Sequence, residues 1–218
     1  GYTRRVADRF AFVPARGGGR VAPADAYTDA AAATMGFAVA DVAPLDALKL
    51  QLRAHPESAA LVARLHAQPP PDEDAARRVF VFLASCRDLR AADLAKVRDA
   101  PVVPVRRRTG DAAQLVHAAP RDCYFWPTSG APPAFQEVFD YIDFGPTAAV
   151  FLRACGVSDE PSTEELVAKL VADAPRFYAL CGSTDAYLGV LRRVAAELPT
   201  LSSGAVQALQ RAPVLLGV

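Results

Sequence analysis

The sequence predicts an α+β fold of two tandem repeat units, each a short antiparallel β element packed on a helical subdomain. The main observation is that the run 100–105, Ala-Pro-Val-Val-Pro-Val, returns at 212–218 as Ala-Pro-Val-Leu-Leu-Gly-Val. Leu89 and Leu201 each stand twelve residues before the proline of their run. Each copy therefore predicts a short amphipathic helix that ends at an Ala-Pro corner and leads into a strand.

The predicted β element opens each unit, after residues 2–9, which we expect to form the end of a helix. In the first unit, residues 10–14 and Arg20-Val21 have the character of short strands, and three glycines between them permit a tight reversal. In the second, a turn at 106–110 precedes a strand at 114–117. The motif Ala-Pro-x-Asp-x-Tyr follows in both units, at 22–27 and 119–124.

The helical part also recurs. The run 56–65 is similar to 161–170, where Ser162 and Glu165 have the spacing of a capping box and mark a helix start. The next predicted helix spans 72–86 in the first unit and 184–198 in the second. An extra piece at 176–182 precedes that helix in the second unit only.

The predicted boundaries are 1–100 for unit one, 101–211 for unit two, and 212–218 for the opening strand of a further unit. Because the chain lacks an initial methionine and ends in an apparent strand, we expect it to be a piece of a longer protein. Val214, Leu215 and Leu216 are predicted to form a strand whose partner lies beyond residue 218. Such a strand would dock on its own domain or pair with another chain.

The composition is that of a globular protein. Of the 218 residues, 52% are apolar and 22% charged, whereas disordered chains are less apolar. Lysine plus arginine equals aspartate plus glutamate, 24 each, so no net field attracts nucleic acid or an acidic membrane. The four cysteines stand singly, without a Cys-x-x-Cys pair, which favours reduced, buried thiols and an intracellular, cytoplasmic location.

No residue pattern predicts catalysis in this segment. The three histidines have no metal-ligand spacing, and the three consecutive glycines lack the Gly-Lys-Ser/Thr ending of a phosphate loop. His117 and Cys123 could suggest a thiol nucleophile, but nothing marks an oxyanion site or an orienting third group. We therefore predict no enzyme activity, no cofactor and no metal for this segment.

One surface is a candidate for partner binding. Arg106, Arg107 and Arg108 form the basic cluster of the chain, and Trp126 follows in the same predicted element. Basic residues beside aromatic ones can hold single-stranded nucleic acid or an acidic partner. The alternative is a solvated turn beside a core tryptophan, which the zero net charge favours.

Several motifs carry a resemblance: Ala119-Pro-Arg-Asp-Cys-Tyr, Phe139-Asp-Tyr-Ile-Asp-Phe-Gly, Phe151-Leu-Arg-Ala-Cys-Gly-Val, Glu160-Pro-Ser-Thr-Glu-Glu and Ala212-Pro-Val-Leu-Leu-Gly. Together they resemble a family of large, uncharacterised fungal proteins, which look related to sacsin through similar Val-Pro, Gly-turn and Pro-x-Asp-x-Tyr repeats. The likeness covers about residues 100–218 well and the first half as a diverged repeat. Its motifs are structural.

In that family a histidine-kinase-like (GHKL) ATPase domain, of the type found in the ninety-kilodalton heat-shock chaperone, lies elsewhere on the chain. This piece has no Asp-x-Gly-x-Gly nucleotide motif. The resemblance therefore implies a non-catalytic scaffold or client-binding repeat region of a chaperone-like ATPase, with other proteins or other domains of the same chain as partners. The alternative hypothesis is a nucleic-acid or acidic-partner module that uses Arg106, Arg107, Arg108 and Trp126.

Overall fold

A computed structural model describes residues 10–109, 112–129, 132–133 and 135–214. The helix end expected at 2–9 and the strand residues 215–216 lie outside this range. The chain forms two compact units, Gly1–Arg121 with Asp143–Val157, and Asp122–Ile142 with Ser158–Val218. Both contain helices and short strands, which confirms the α+β class.

Three pairs of strands lie in the part of the first unit that the structure describes. Antiparallel pairing joins β1 with β2 and the longer β5 with β6, whereas β3 and β4 run parallel. The glycines of the β1–β2 turn have φ values of +94°, +99° and +85°, a region that favours glycine. These strands are β1 (Val13–Pro14), β2 (Arg20–Val21), β3 (Ala26–Tyr27), β4 (Ala38–Val39), β5 (Val103–Thr109) and β6 (Ala112–Ala118).

The described residues of the first unit also form five α-helices: α1 (Pro44–Lys49), α2 (Ser58–Ala67), α3 (Glu73–Ser85), α4 (Ala91–Arg98) and α5 (Pro146–Ala154). The α3 helix begins after Asp72, whose carboxylate accepts a hydrogen bond from the amide of Ala75. Phe80, in the middle of α3, is fully buried. Its ring meets Phe144 edge-on at 5.3 Å and stacks on Phe151 at 5.8 Å, so α5 packs on α3.

In the second unit, the parallel strands β7 (Cys123–Phe125) and β8 (Asp140–Ile142) pair with each other. Its described α-helices are α6 (Thr163–Ala172), α7 (Ala174–Cys181), α8 (Thr184–Glu197) and α9 (Ser203–Arg211). Its core is centred on Leu166, Leu170 and Tyr187. The predicted capping box is confirmed: the amide of Glu165 binds the hydroxyl of Ser162, and the Glu165 carboxylate binds the amide of Ser162.

Much of the order of elements from β1 to α4, called here the first series, returns from β5 to α9, the second series. The 3-10 helix Ala30–Met35, between β3 and β4, has no counterpart among the described residues between β7 and β8. Each series has a hairpin, a one-turn 3-10 helix and a parallel pair, followed by helices. Tyr27 pairs with Val39 in the first series, as Tyr124 pairs with Tyr141 in the second. The additional helix α7 contains most of the extra piece predicted at 176–182.

The structure differs from the prediction in one respect. The β element of each series is not wholly antiparallel, because the pairs β3–β4 and β7–β8 are parallel. The compact units group residues by contact, so they do not test the repeat boundary predicted between residues 100 and 101. The hairpin β5–β6 and helix α5 belong to the first unit, where Phe144 and Phe151 pack on Phe80. The division into two tandem repeat units therefore stays a prediction.

The end of the described chain docks on its own unit. Val214 is buried and lies outside any strand, and its carbonyl accepts a hydrogen bond from the Tyr187 hydroxyl. The amide of Val214 bonds to the carbonyl of Ala212 at 2.9 Å. The other Ala-Pro corner has the same bond, from Val102 to Ala100 at 2.9 Å.

Candidate functional site

The candidate site is a surface groove in the first unit, beside helix α1, with a cavity volume of about 550 Å³. The loops that follow β1, β3 and β4 form one wall, and α1 forms the other. Most of the lining is apolar. The lining residues are Arg16, Thr28, Ala40, Val42, Pro44, Ala47, Leu48, Gln51 and Leu52.

The end of α1 shapes the floor of the groove. The amide of Gln51 bonds to the carbonyl of Leu48, and the amide of Leu52 to that of Ala47, both at 3.0 Å. This is a Schellman ending, and it places Gln51 at φ +53°, in the left-handed region. Helix α5 ends in the same way with Gly156 at the corresponding position, where glycine avoids the steric cost.

Four positions of the groove carry smaller side chains than the corresponding positions of the second series. The strand registers and the matching helix ends assign each position a counterpart in the second series. At every one of these counterparts the side chain is larger, and three of the four counterparts, Ile142, Phe144 and Leu152, are buried. The pairs are Thr28 and Phe125, Ala40 and Ile142, Val42 and Phe144, and Ala47 and Leu152.

Arg16 provides the positive charge of the groove. Its backbone is fixed, because its amide donates to the carbonyl of Val39 at 2.8 Å. Its exposed guanidinium forms no ion pair with the residues that the structure describes. An unpaired cation at the edge of an apolar groove attracts an anionic ligand group.

Two leucines extend the apolar surface at the rim. Leu45 is 63% exposed and Leu48 is 73% exposed, and their spacing on α1 puts them on the same side of the helix. Asp46 lies between the two leucines in sequence and Lys49 follows Leu48. The side chains of Asp46 and Lys49 form an exposed ion pair at 3.5 Å. The groove and its rim thus form an exposed apolar patch, which is typical of interaction surfaces.

The predicted arginine cluster lies on β5, in the hairpin of the first unit. The Nε of Arg106 donates to a carboxylate oxygen of Glu73 at 2.7 Å, so an acidic residue of α3 balances its charge. Successive residues of a strand point to opposite faces, which separates the side chains of Arg106 and Arg107. Arg108 pairs through its backbone with Ala113, and its side chain lies outside the described atoms.

Trp126 belongs to the second unit. Its indole is 37% exposed and meets the ring of Tyr141 edge-on at 6.4 Å. Its amide donates to the carbonyl of Ile142 at 2.9 Å. The ring therefore lies at the edge of the β7–β8 pair, with one side against a neighbouring aromatic residue.

The thiols and imidazoles are held in structural environments. Burial raises the pKa of Cys86 to about 11 and that of Cys155 to about 12, and it raises the pKa of Cys181 as well. Since the thiolate is the reactive form, these groups are weak nucleophiles at neutral pH. The Nε2 of His117 lies 2.8 Å from the carbonyl oxygen of Pro70.

Comparison with known families gives one match. A family model described as "Protein of unknown function (DUF3684)" matches residues 2–218. The chain belongs to this family. No curated protein and no solved structure matches the chain.

The described residues of this DUF3684 chain include no group of three or more histidine, cysteine, aspartate or glutamate side chains that could hold a metal ion. They also include no helix that is both long and apolar enough to cross a membrane. The sequence did not predict the groove. Its signal was the small residues at positions where the other series has large ones.

Proposed function

We propose that this DUF3684 segment is a non-catalytic, partner-binding scaffold, one repeat region of a large chaperone-like ATPase. The observation that carries the proposal is the apolar groove beside α1 with the exposed side chains of Leu45 and Leu48. Its volume lies within the range of ligand pockets, roughly 300–1,000 Å³. The ATPase parent and its chaperone character come from the sequence motifs that resemble the sacsin-related fungal proteins.

The surroundings of the Asp93 carboxylate and of the cysteine thiols support a structural role for the segment. Asp93 is buried, and its carboxylate accepts a hydrogen bond from the Lys96 ammonium at 2.8 Å. That bond, followed by one with the Ser58 hydroxyl, holds the pKa of Asp93 below its usual value. The buried carboxylate therefore stays ionised and helps to fix α4, while burial and a raised pKa make the thiols of Cys86 and Cys155 weak nucleophiles at neutral pH.

The partners in this proposal are apolar segments of other proteins or other domains of the same chain, and the segment needs no cofactor. An intracellular, cytoplasmic location belongs to the proposal and is supported by the three buried thiols. The structure gives less support to the alternative function, nucleic-acid binding. Arg106 is paired with Glu73, and strand geometry separates Arg106 from Arg107, which weakens the electrostatic footprint.

The proposal is tested first by incubating the purified segment with Mg²⁺ and ATP. We expect no phosphate release above that of a buffer blank. Turnover that rises in proportion to the protein concentration would contradict a non-catalytic role.

The second test is suppression of light scattering by reduced, aggregating insulin. We expect the segment to lower the scattering and Leu48→Glu to weaken this effect at least twofold, because it puts a charge on the apolar rim. Val150→Glu is the matched control, since Val150 is 64% exposed on α5 and does not line the groove. No effect of the wild-type segment, or equal losses from both variants, would count against the proposal.

A further inference from the structure

We infer that the groove beside α1 binds a peptide segment that carries an aromatic side chain next to a carboxylate. This inference rests on the proposed function, because it assigns the chemistry of the partner to the same groove.

The aromatic group follows from the volume that the first series leaves open. Val42 stands where the second series has Phe144, and Thr28 stands where it has Phe125. Phe144 is buried and packs edge-on against Phe80. A side chain of phenyl size from a partner would supply beside Val42 the aromatic ring that Phe144 supplies at the corresponding position of the second series.

The carboxylate follows from Arg16. Of the residues that line the groove in the described part of the chain, Arg16 alone is charged. Its guanidinium has no ion-pair partner there, and it can hold a carboxylate through two parallel hydrogen bonds. The nearby pair of Asp46 and Lys49 is already satisfied and exposed. The carboxylate therefore binds at Arg16, and the ring enters the apolar part of the groove.

Fluorescence anisotropy with three labelled pentapeptides tests the assignment. The probes are Gly-Ser-Glu-Phe-Gly, its Gln-Phe analogue and its Glu-Ala analogue, each amidated at the C-terminus so that the glutamate supplies the carboxylate. We expect the Glu-Phe peptide to bind at least tenfold more tightly than the Glu-Ala analogue and about threefold more tightly than the Gln-Phe analogue, because the ion pair with Arg16 is exposed. Arg16→Gln should remove the preference for Glu over Gln and keep the preference for Phe over Ala. Arg20→Gln, which changes an exposed arginine outside the groove, should leave both preferences intact.

Two filling variants locate the binding site. Val42→Phe and Thr28→Phe each place in the groove the side chain of the second series, and we expect either one to weaken Glu-Phe binding at least tenfold. Thr28 is exposed, so its variant should retain the thermal midpoint of the wild type. The inference is overturned if no peptide binds, if the three bind equally, or if both folded filling variants bind as the wild type does. None of these results would bear on ATP turnover or on insulin scattering, so the proposed function is tested separately.

Discussion

Replacing Phe80 by alanine tests the junction between α3 and α5. Phe80 is fully buried and makes two ring contacts, at 5.3 Å with Phe144 and 5.8 Å with Phe151. Phenylalanine-to-alanine changes in cores cost about 3–5 kcal/mol of unfolding free energy. Because two aromatic pairs are lost together, each with a share beyond simple burial, we expect Phe80→Ala to cost about 4–5 kcal/mol. That is a large part of the total stability of a domain.

The measurement is urea unfolding followed by two probes. Trp126, the single tryptophan of the chain, lies in the second unit, whereas far-ultraviolet circular dichroism reports the helices of both units. We expect Phe80→Ala to bring out an early dichroism transition while the tryptophan midpoint shifts less. Val81→Ala is the control, because Val81 is the next residue on α3 and is 38% exposed. It should change the free energy of unfolding by less than about 0.5 kcal/mol.

Two results would refute this reasoning. A cost below about 2 kcal/mol for Phe80→Ala would mean that the α3–α5 contact is not a close-packed core. If both probes instead shifted together by the full amount, the two compact units would unfold as one, and the first unit would have no separate stability.

Three further predictions concern single residues. Gly156→Ala should lower the free energy of unfolding by about 1–2 kcal/mol, because φ is +99° there and the new methyl group would lie 3.2 Å from the Arg98 side chain; urea unfolding measures this. The depressed pKa of Asp93 adds stability at neutral pH that is lost as pH falls through the folded-state value. The stability advantage over Asp93→Asn should therefore shrink below about pH 4, and stay constant if the bond to Lys96 is absent. Cys181, half-buried, should react with iodoacetamide before the other three cysteines, as mass spectrometry of the native protein would show; simultaneous labelling would contradict the burial pattern.

The features with strong local signals could be predicted from the sequence. Ser162 and Glu165 satisfy each other's backbone and side-chain groups within four residues, so their spacing alone marked a helix start. Asp72 caps α3 for the same local reason. The glycine turn between β1 and β2 was predictable because positive φ values strongly favour glycine.

The parallel pairs could not be predicted in this way. Strands β3 and β4 have two residues each, too few for an alternating pattern of apolar and polar side chains. Their pairing also depends on a crossover that includes the 3-10 helix Ala30–Met35, which brings residues distant in sequence together.

The groove was hidden for a related reason. A small residue such as Ala40 or Thr28 is unremarkable in a sequence. It becomes informative only when the strand register shows that Ile142 and Phe125 occupy the corresponding positions. The arginine cluster was conspicuous in the sequence, yet the structure pairs Arg106 with Glu73, a residue far away along the chain. The charge cluster was therefore visible in the sequence, whereas the ion pair that balances part of its charge was not.

The compact units do not have the same bounds as the two series, and this difference explains how the short strands become stable. The hairpin β1–β2 has two residues in each strand, and an isolated pair of this size is marginal in water. Stability must come from packing on helices. The aromatic rings that contact Phe80, those of Phe144 and of Phe151 on α5, come from the second series. The core of the first unit thus combines the first series with elements that follow that series in the sequence. Neighbouring units of repeat proteins pack on each other in a comparable way. Because the contact crosses the sequence boundary, a substitution in α5 acts on the unit that contains α3.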